Sequence, residues 1–259
     1  MAPRGFNCVI VMDHIIIPTV GRMHNQVTLK NLPGFLLDIT TLVVQPHEET
    51  LAKKLHNNVL VLPKEIQTLS PTKEWISKRF KNKTYFILDD DLEFFVKDYD
   101  KSKVMQVRDF FNLIEEIDLF EVEGIYWGGL NPSPNVSLSY SDPKGWIHNF
   151  RVMTNMWVVG PKIPQIDWNR VVCAQDYDIA LQLLSKGYEN RVSTKYFVRN
   201  VGEKGGCNLY RTNELRLESY KKLRSFFPDL VRVRERNDRP YVDIYWKKAL
   251  SYNNVSIES

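Results

Sequence analysis

Along the first hundred residues the chain switches repeatedly between two hydrophobic periods. "HIIIPTVGR", residues 14 to 22, is a β-branched run that stops at Pro18 and turns at Gly21, as a buried strand entering a loop does. "HNQVTLKNLPG" then carries Val27 and Leu32 at roughly helical spacing and ends in Pro-Gly. "ITTLVVQP" predicts a second strand, "EETLAKKLHNN" a short helix with Leu51 and Leu55 one turn apart on one face, and "NVLVLP" a third strand. "SPTKEWISKRF" contains a helix start, with Ser70 as cap, Pro71 at the first helical position, and Trp75, Ile76 and Phe80 turned toward a core. "TYFILDDD" is a fourth strand with its acids at the C-terminal end, and a helix is expected over residues 104 to 119. Beyond Gly124 two segments rich in aromatic and β-branched residues, "GIYWGGLNPSPN" and "NFRVMTNMWVVGP", flank a polar Gly/Pro/Ser stretch expected to be a loop.

This alternation predicts an α/β three-layer sandwich with a mainly parallel central sheet. Ligands of such open sheets bind outside the carboxyl ends of the strands, which brings Pro18 to Arg22 and Asp89 to Asp91 to one rim. No internal repeat or low-complexity linker divides the chain. The expected organisation is therefore one domain, residues 1–210 forming the working part and 211–259 a basic extension packed on it.

Composition narrows the picture. With 43% hydrophobic and 25% charged residues over 259 positions, the chain is a globular protein and not a disordered one. A formal charge of +4 does not by itself announce a nucleic-acid binder, though it does not oppose a polyanionic substrate. Cys8, Cys173 and Cys207 lie far apart with no CxxC pair, which argues against a zinc ribbon or disulfide scaffold and for a reducing, cytoplasmic setting. Neither a signal peptide nor a membrane span is expected, so the N-x-S/T matches at Asn82, Asn135 and Asn254 carry no weight.

Three consecutive carboxylates after a buried strand need a partner, since an unpaired buried carboxylate costs several kcal/mol. Hard divalent cations take carboxylate oxygens, and Mg²⁺ commonly completes its shell with waters and substrate phosphates. Asp89 to Asp91 can therefore hold a metal that bridges to a diphosphate; the plainer alternative is a solvated turn whose acids cap the next helix. A second acidic pair, Asp176 and Asp178, opens "QDYDIALQLLSKGY", a helix with Ile179, Ala180, Leu183 and Leu184 inward, capped by Asp176 or Gln175 and ended by Gly187. On its own that pair is ordinary capping.

The ordered set "IPTVGR", "TLVVQP", "VLVLP", "FILDDD", an aromatic segment and "QDYDIALQLL", spanning residues 14 to about 187, resembles a GT-A glycosyltransferase. The resemblance implies a UDP-sugar lying across the strand ends and a D-x-D motif binding Mn²⁺ or Mg²⁺. Pro18, Thr19, Arg22 and Asp90 would line the nucleotide-sugar pocket, Asp89 would face ribose or metal, and Asp91 would be the principal metal ligand. Asp176, or in its place Asp178, would act near the acceptor, as a base if the enzyme inverts. Many members add a metal-binding His after the second acidic motif, whereas no His follows His148 here. "RNVGEKGGCNLYR", residues 199 to 211, is a candidate replacement, with Lys204 and backbone N–H groups over a diphosphate or, alternatively, a plain surface turn. Its glycines fit neither the P-loop nor the dinucleotide fingerprint.

Within GT-A proteins, "LDDD", "GWIHNFRVMTNMWVVG" and "GEKGG" together are most similar to the TET/JBP-associated glycosyltransferase group, whose members are linked to sugar addition on 5-hydroxymethylpyrimidines in DNA, often in bacteriophages. A DNA acceptor is what that resemblance implies, and for a viral protein the setting would be the host cytoplasm. An enzyme acting on a base must reach it unstacked and grip the flanking phosphates. Trp127, Trp146 and Arg151 are the candidate acceptor contacts, with His148 as a further positioning group; core packing and a hydrogen-bonded loop histidine are the competing assignments. "VRVRERNDRP", residues 231 to 240, makes the C-terminal third basic, and its alternating arginines equally suit the solvent face of a strand. Two other functions fit the same residues: a GT-A transferase acting on a glycan or lipid-linked acceptor, and a catalytically silent DNA-binding module.

Overall fold

In β1 (His14–Pro18) Ile15 and Ile17 enter one hydrophobic core while Ile16 enters another, because successive strand side chains point to opposite faces. The computed structural model describes residues 12–98, 103–106, 110–132, 145–201, 212–236 and 238–252. β2 (Thr40–Val44) repeats the division: Leu42 and Val44 lie with Ile15, Val43 with Ile16. Strands apolar on both faces have no solvated side, so helices must cover both. Each fully buried Ile or Leu stabilises the fold by about 1.5–3 kcal/mol, which also fixes the register.

The remaining strands of the main sheet are β3 (Val59–Val61), β4 (Thr84–Leu88), β5 (Leu92–Asp98), β6 (Lys103–Gln106), β7 (Trp127–Asn131), β8 (Trp146–His148), β9 (Asn155–Val159) and β10 (Arg191–Asn200). They lie in the order β3-β2-β1-β4-β9-β7-β10-β5-β6, with β8 also on β10. β1 pairs in parallel with β2 and β4, β2 with β3, and β7 with β10. β9 runs antiparallel between β4 and β7, and β5 and β8 run antiparallel to β10. The sheet is mixed and mainly parallel. At Gly128 in β7 an added Cβ would meet the Arg191 carbonyl at 2.2 Å and the Trp157 ring at 2.7 Å, so only glycine lets Trp157 lie across the strand.

One face is covered by α1 (Val27–Asn31), α2 (Gly34–Leu37), α3 (Glu49–Leu55) and, after α4, by α5 (Phe111–Val122). The other is covered by α4 (Leu69–Arg79), α6 (Gln175–Ser185) and α7 (Asn213–Phe226), through Ile76, the run Ile179 to Leu184, and Leu223. A two-stranded sheet, β11 (Val231–Arg236) with β12 (Arg239–Ile244), packs against α7, and α8 (Trp246–Ala249) follows. Phe227, Leu230, Val231 and Ala249 are buried in the same core as α4 and α6. No helix among the described residues is long and apolar enough to cross a membrane.

Several expected elements are shifted. The helix expected over 104–119 starts at Phe111, and Lys103–Gln106 is instead a strand paired with β5. After the acids the chain turns straight into "LEFFVKD", a strand whose Leu92 and Phe94 are buried two residues apart on one face and which pairs antiparallel with β6 and β10. α4 begins at Leu69 with Thr68 in the cap position, so Ser70 does not cap; its hydroxyl donates to Gln175 Oε1 at 2.5 Å. In α6 the cap position is Ala174, and neither Gln175 nor Asp176 caps. Leu51 and Leu55 face outward, each 47% exposed, because Ala52 is the α3 residue turned to the core. Gly187 does follow α6 in a left-handed conformation, φ +84°.

Candidate active site at the strand ends

The carboxyl ends of β1, β2 and β4 bring together Thr19, Arg22, Glu48, Asp90 and Asp91. Arg22 Nη1 donates to Asp90 Oδ1 at 2.8 Å and to Asp91 Oδ2 at 2.7 Å. Thr19 Oγ1 donates to the other Asp90 oxygen at 2.5 Å and accepts from Gln26 Nε2 at 2.9 Å. The positive partner that the acidic triplet requires is thus built in. Burial would depress the Arg22 pKa, but Asp90 and Asp91 outweigh it and the net direction is upward. Burial pushes the Asp91 carboxyl upward, and Arg22 only partly opposes this. α1 anchors the turn from beneath: Thr28 donates through its hydroxyl to the Asp89 carbonyl and through its amide to the Asp90 carbonyl. Pro18 ends β1 with its neighbour Thr19 buried under the rim.

Three acceptor oxygens of this rim, Asp91 Oδ1, Gln26 Oε1 and Glu48 Oε2, are buried without a hydrogen-bond partner among the described residues. Glu48 uses its other oxygen to accept from the Gly21 amide at 2.8 Å. Unmet acceptors are costly, and a set of them at a strand-end rim suits a ligand that brings donors or a cation. Among the described residues no group of three His, Cys, Asp or Glu side chains forms a metal cage. Mg²⁺ needs none, because one or two carboxylates suffice when waters and phosphates supply the rest. Asp91, with one oxygen clasped by Arg22 and one unmet, fits that role. Glu48 and Gln26 escaped sequence reasoning; position just past a strand end was the only available signal for Glu48, and Gln26 gave none.

The second acidic pair separates in the structure. Asp178 is 1% exposed and held by Arg170, whose Nη2 donates to Oδ1 and whose Nε donates to Oδ2 at 3.2 Å, and by Gln182 Nε2 at 2.8 Å. Its pKa is raised by burial against the opposing pull of Arg170. Asp176 faces a cavity of about 20 Å³, lined also by Lys73, Trp127, Thr154, Asn155 and Trp168. That volume accommodates roughly one water or hydroxyl group. Burial raises the Asp176 pKa, with Arg151 and Lys73 opposing. Lys73, on α4, is a cavity residue that sequence reasoning did not find, since one lysine on an amphipathic helix carries no distinguishing signal.

Thr154 joins the two acidic regions. Its carbonyl accepts from the Asp89 amide at 2.9 Å, and its residue lines the Asp176 cavity. Thr154 has φ +58° and Ala174, which leads into α6, has φ +62°. Positive φ is a true outlier for a β-branched residue and costs about 1–3 kcal/mol.

The other sequence candidates fall in different places. Trp127 and Trp146, expected to contact an acceptor, are core residues, 0% and 3% exposed. The Trp127 indole donates to the Tyr188 carbonyl at 3.0 Å, and Trp146 packs edge-on against Phe120. A base stacks only on an accessible ring face, and neither indole offers one; Trp127 serves as cavity wall. Arg151 reaches the Tyr177 hydroxyl and lies over the Tyr177 ring at 5.1 Å, next to Asp176. His148 is exposed on β8 opposite Arg191 and does not line the cavity. Lys204 and its glycine-rich segment lie outside the described residues; Val201, the last described before them, donates its amide to the Asp91 carbonyl at 2.9 Å.

A mixed, mainly parallel sheet between two helical layers, with paired carboxylates where β4 ends beside β1, defines a three-layer α/β protein with a candidate site at its strand ends. The chain belongs to the TET-associated glycosyltransferase family, whose model matches residues 13–203. Among solved structures, the inositol-1-phosphate CTP transferase from T. maritima is similar at 11% identity and TM-score 0.43, covering 83% of this chain and 97% of its own. A CMP:2-keto-3-deoxy-manno-octonic acid synthetase complexed with CTP is similar at 10% identity and TM-score 0.41, covering 75% and 92%. No curated protein matches the sequence.

Proposed function

We propose that this protein transfers a sugar from a UDP-sugar to the hydroxyl of a 5-hydroxymethylpyrimidine in DNA. One observation carries the reading: Thr154 links the Asp89 strand end to a hydroxyl-sized cavity facing Asp176. Donor-side acids and a candidate base thereby share one wall. Family membership supports sugar transfer, and the TET association in the family's name supports modified DNA as the acceptor.

In this mechanism the acceptor hydroxyl occupies the cavity and gives its proton to Asp176 as its oxygen bonds to the anomeric carbon. The bond from that carbon to the diphosphate breaks, and UDP leaves with the electron pair. Asp176 is equipped for this, because burial raises its pKa and a carboxylate with a raised pKa is a stronger base than an ordinary one, while Arg151 and Lys73 favour its ionised form. Arg22 fixes Asp90 and Asp91 and holds positive charge at the donor rim. Asp91, together with Asp89, would hold Mn²⁺ or Mg²⁺, which when bound offsets charge on the departing diphosphate.

The test is incubation with UDP-sugars, Mn²⁺ or Mg²⁺, and DNA containing 5-hydroxymethylcytosine or 5-hydroxymethyluracil, followed by mass spectrometry of the digested nucleosides. A hexose or pentose increment is expected. UDP release without a modified nucleoside would move the acceptor to a glycan or lipid-linked sugar, and absence of UDP release from every donor would overturn the UDP-sugar reading in favour of another nucleotide-sugar or a catalytically silent module. Asp91→Asn should lower turnover by about 10²- to 10³-fold with the fold retained; full activity in that variant would remove Asp91 from the donor site.

A further inference from the structure

The C-terminal module carries a charge pattern that the sugar-transfer chemistry does not use. Residues 213–252 contain ten Lys or Arg against six Asp or Glu, an excess of four that equals the formal excess of the whole chain. The register of β11 with β12 sorts these residues by face. Val231 opposite Ile244 and Val233 opposite Val242 face α7, so Arg232 opposite Asp243, Arg234 opposite Tyr241, and Arg239 face outward. Arg232 and Arg239 are exposed, and Arg232 lies 4.8 Å over the Tyr245 ring, itself 37% exposed. Arg234 on this face pairs with Asp243 at 2.8 Å.

This face connects to the candidate active site. Tyr245 leads directly into Trp246, whose ring stacks on Tyr177 at 6.1 Å and packs against Phe150 at 5.3 Å. Tyr177 follows Asp176 in sequence and bonds Arg151. Ring packing, partly within the core, therefore links the hairpin to the wall of the Asp176 cavity. Exposed arginines beside an exposed tyrosine ring are a combination that can grip a nucleic-acid backbone.

The geometry points to the outer face of the β11–β12 hairpin, centred on Arg232, Tyr245 and Arg239, as the surface that holds the DNA phosphates flanking the acceptor base. This inference rests on the DNA-acceptor reading and names the part of the protein that meets DNA. Contacts of this kind are independent of sequence and of the hydroxymethyl group, so unmodified DNA is a sufficient probe.

The experiment is fluorescence anisotropy of a labelled, unmodified oligonucleotide, single- and double-stranded, with the full chain between about 50 and 200 mM salt. The double variant Arg232→Gln/Arg239→Gln should bind roughly 10-fold more weakly at low salt and lower the slope of log affinity against log salt by about two. Arg232→Lys/Arg239→Lys should restore most of the affinity, which distinguishes lost charge from a damaged hairpin. Lys53→Gln/Lys54→Gln, an equal charge loss on exposed α3 beneath the opposite face of the sheet, should leave the slope unchanged. Wild-type affinity in the arginine double variant, or equal weakening in the α3 variant, overturns the assignment while the transferase reading stands. If the wild type hydrolyses UDP-sugars yet neither binds nor modifies DNA, the DNA-acceptor reading fails and the surface with it.

Discussion

The two acidic motifs, "DDD" at 89–91 and "DYD" at 176–178, look alike in sequence and are treated in opposite ways by the fold. At the first, one arginine spans two carboxylates, so both neighbouring acids share a single guanidinium and one oxygen of Asp91 has no partner among the described residues. At the second, the acids are divided. Asp178 points into the helical layer and is paired with Arg170 and hydrogen-bonded by Gln182, while Asp176 lines the cavity, where Arg151, Lys73 and the first backbone amides of α6 favour its ionised form against burial. Strand ends present successive side chains to one opening, whereas two residues on a helix lie about 200° apart, which is why the second motif splits. Charge that is paired stabilises the fold; charge that is left facing a void is available for chemistry.

The largest effect should come from breaking that division on the reactive side. Asp176→Asn should lower kcat by about 10²- to 10⁴-fold, the usual share of a general base. Its melting temperature should not fall, because the carboxylate there is opposed by burial. A loss of stability comparable to the loss of activity would show that Asp176 is a structural acid like its neighbour. The base must be ionised, and its pKa lies above the ordinary Asp value, so activity should decline as pH falls through that raised pKa. Lys73 favours the ionised form, so Lys73→Gln should move this acid limb to higher pH; a limb that stays fixed would assign it to another group.

Next in size is the opposite signature at Asp178. Asp178→Ala strands Arg170, whose guanidinium lies over Phe226 at 4.3 Å and Phe227 at 5.2 Å, and should cost about 3 kcal/mol in urea denaturation. Below the transition its kcat should remain near wild type. A catalytic defect without destabilisation would reverse the assignment of the two aspartates.

Period and composition made much of this legible. "HIIIP", "ITTLVV" and "TYFIL" are buried on both faces as their unbroken apolar runs require, and the acids at the end of the last stand at the rim that strand polarity dictates. What escaped depends on contacts between segments distant in the chain. Trp127 could not be told from a stacking surface until it was found buried in the same core as α4 and α6, with its indole on the Tyr188 carbonyl. Ser70 looks like a helix cap until Gln175, more than a hundred residues away, is found accepting its proton. Arg22 was visible as a rim residue, but its role as the clasp of Asp90 and Asp91 belongs to tertiary structure alone.

The smallest predicted effect concerns the backbone that separates the two aspartates. A helix cap position normally has extended φ and ψ and a side-chain oxygen on the first amides, yet Ala174 has φ 62° and ψ 29° and caps nothing. Its carbonyl already accepts from the Tyr177 and Asp178 amides, each at 3.1 Å, so the left-handed bend fixes where the first turn of α6 starts and which acid meets the cavity. Left-handed geometry costs alanine about 1–2 kcal/mol, and glycine adopts it freely while losing about 0.5–1 kcal/mol more backbone freedom on folding. Ala174→Gly should therefore raise stability by about 0.5 kcal/mol. If the bend exists to aim Asp176, the same variant should lose kcat several-fold with donor affinity unchanged, since a looser turn misplaces the base. Gained stability at full kcat would mean that the bend merely connects β9 to α6, and that the cavity alone selects Asp176.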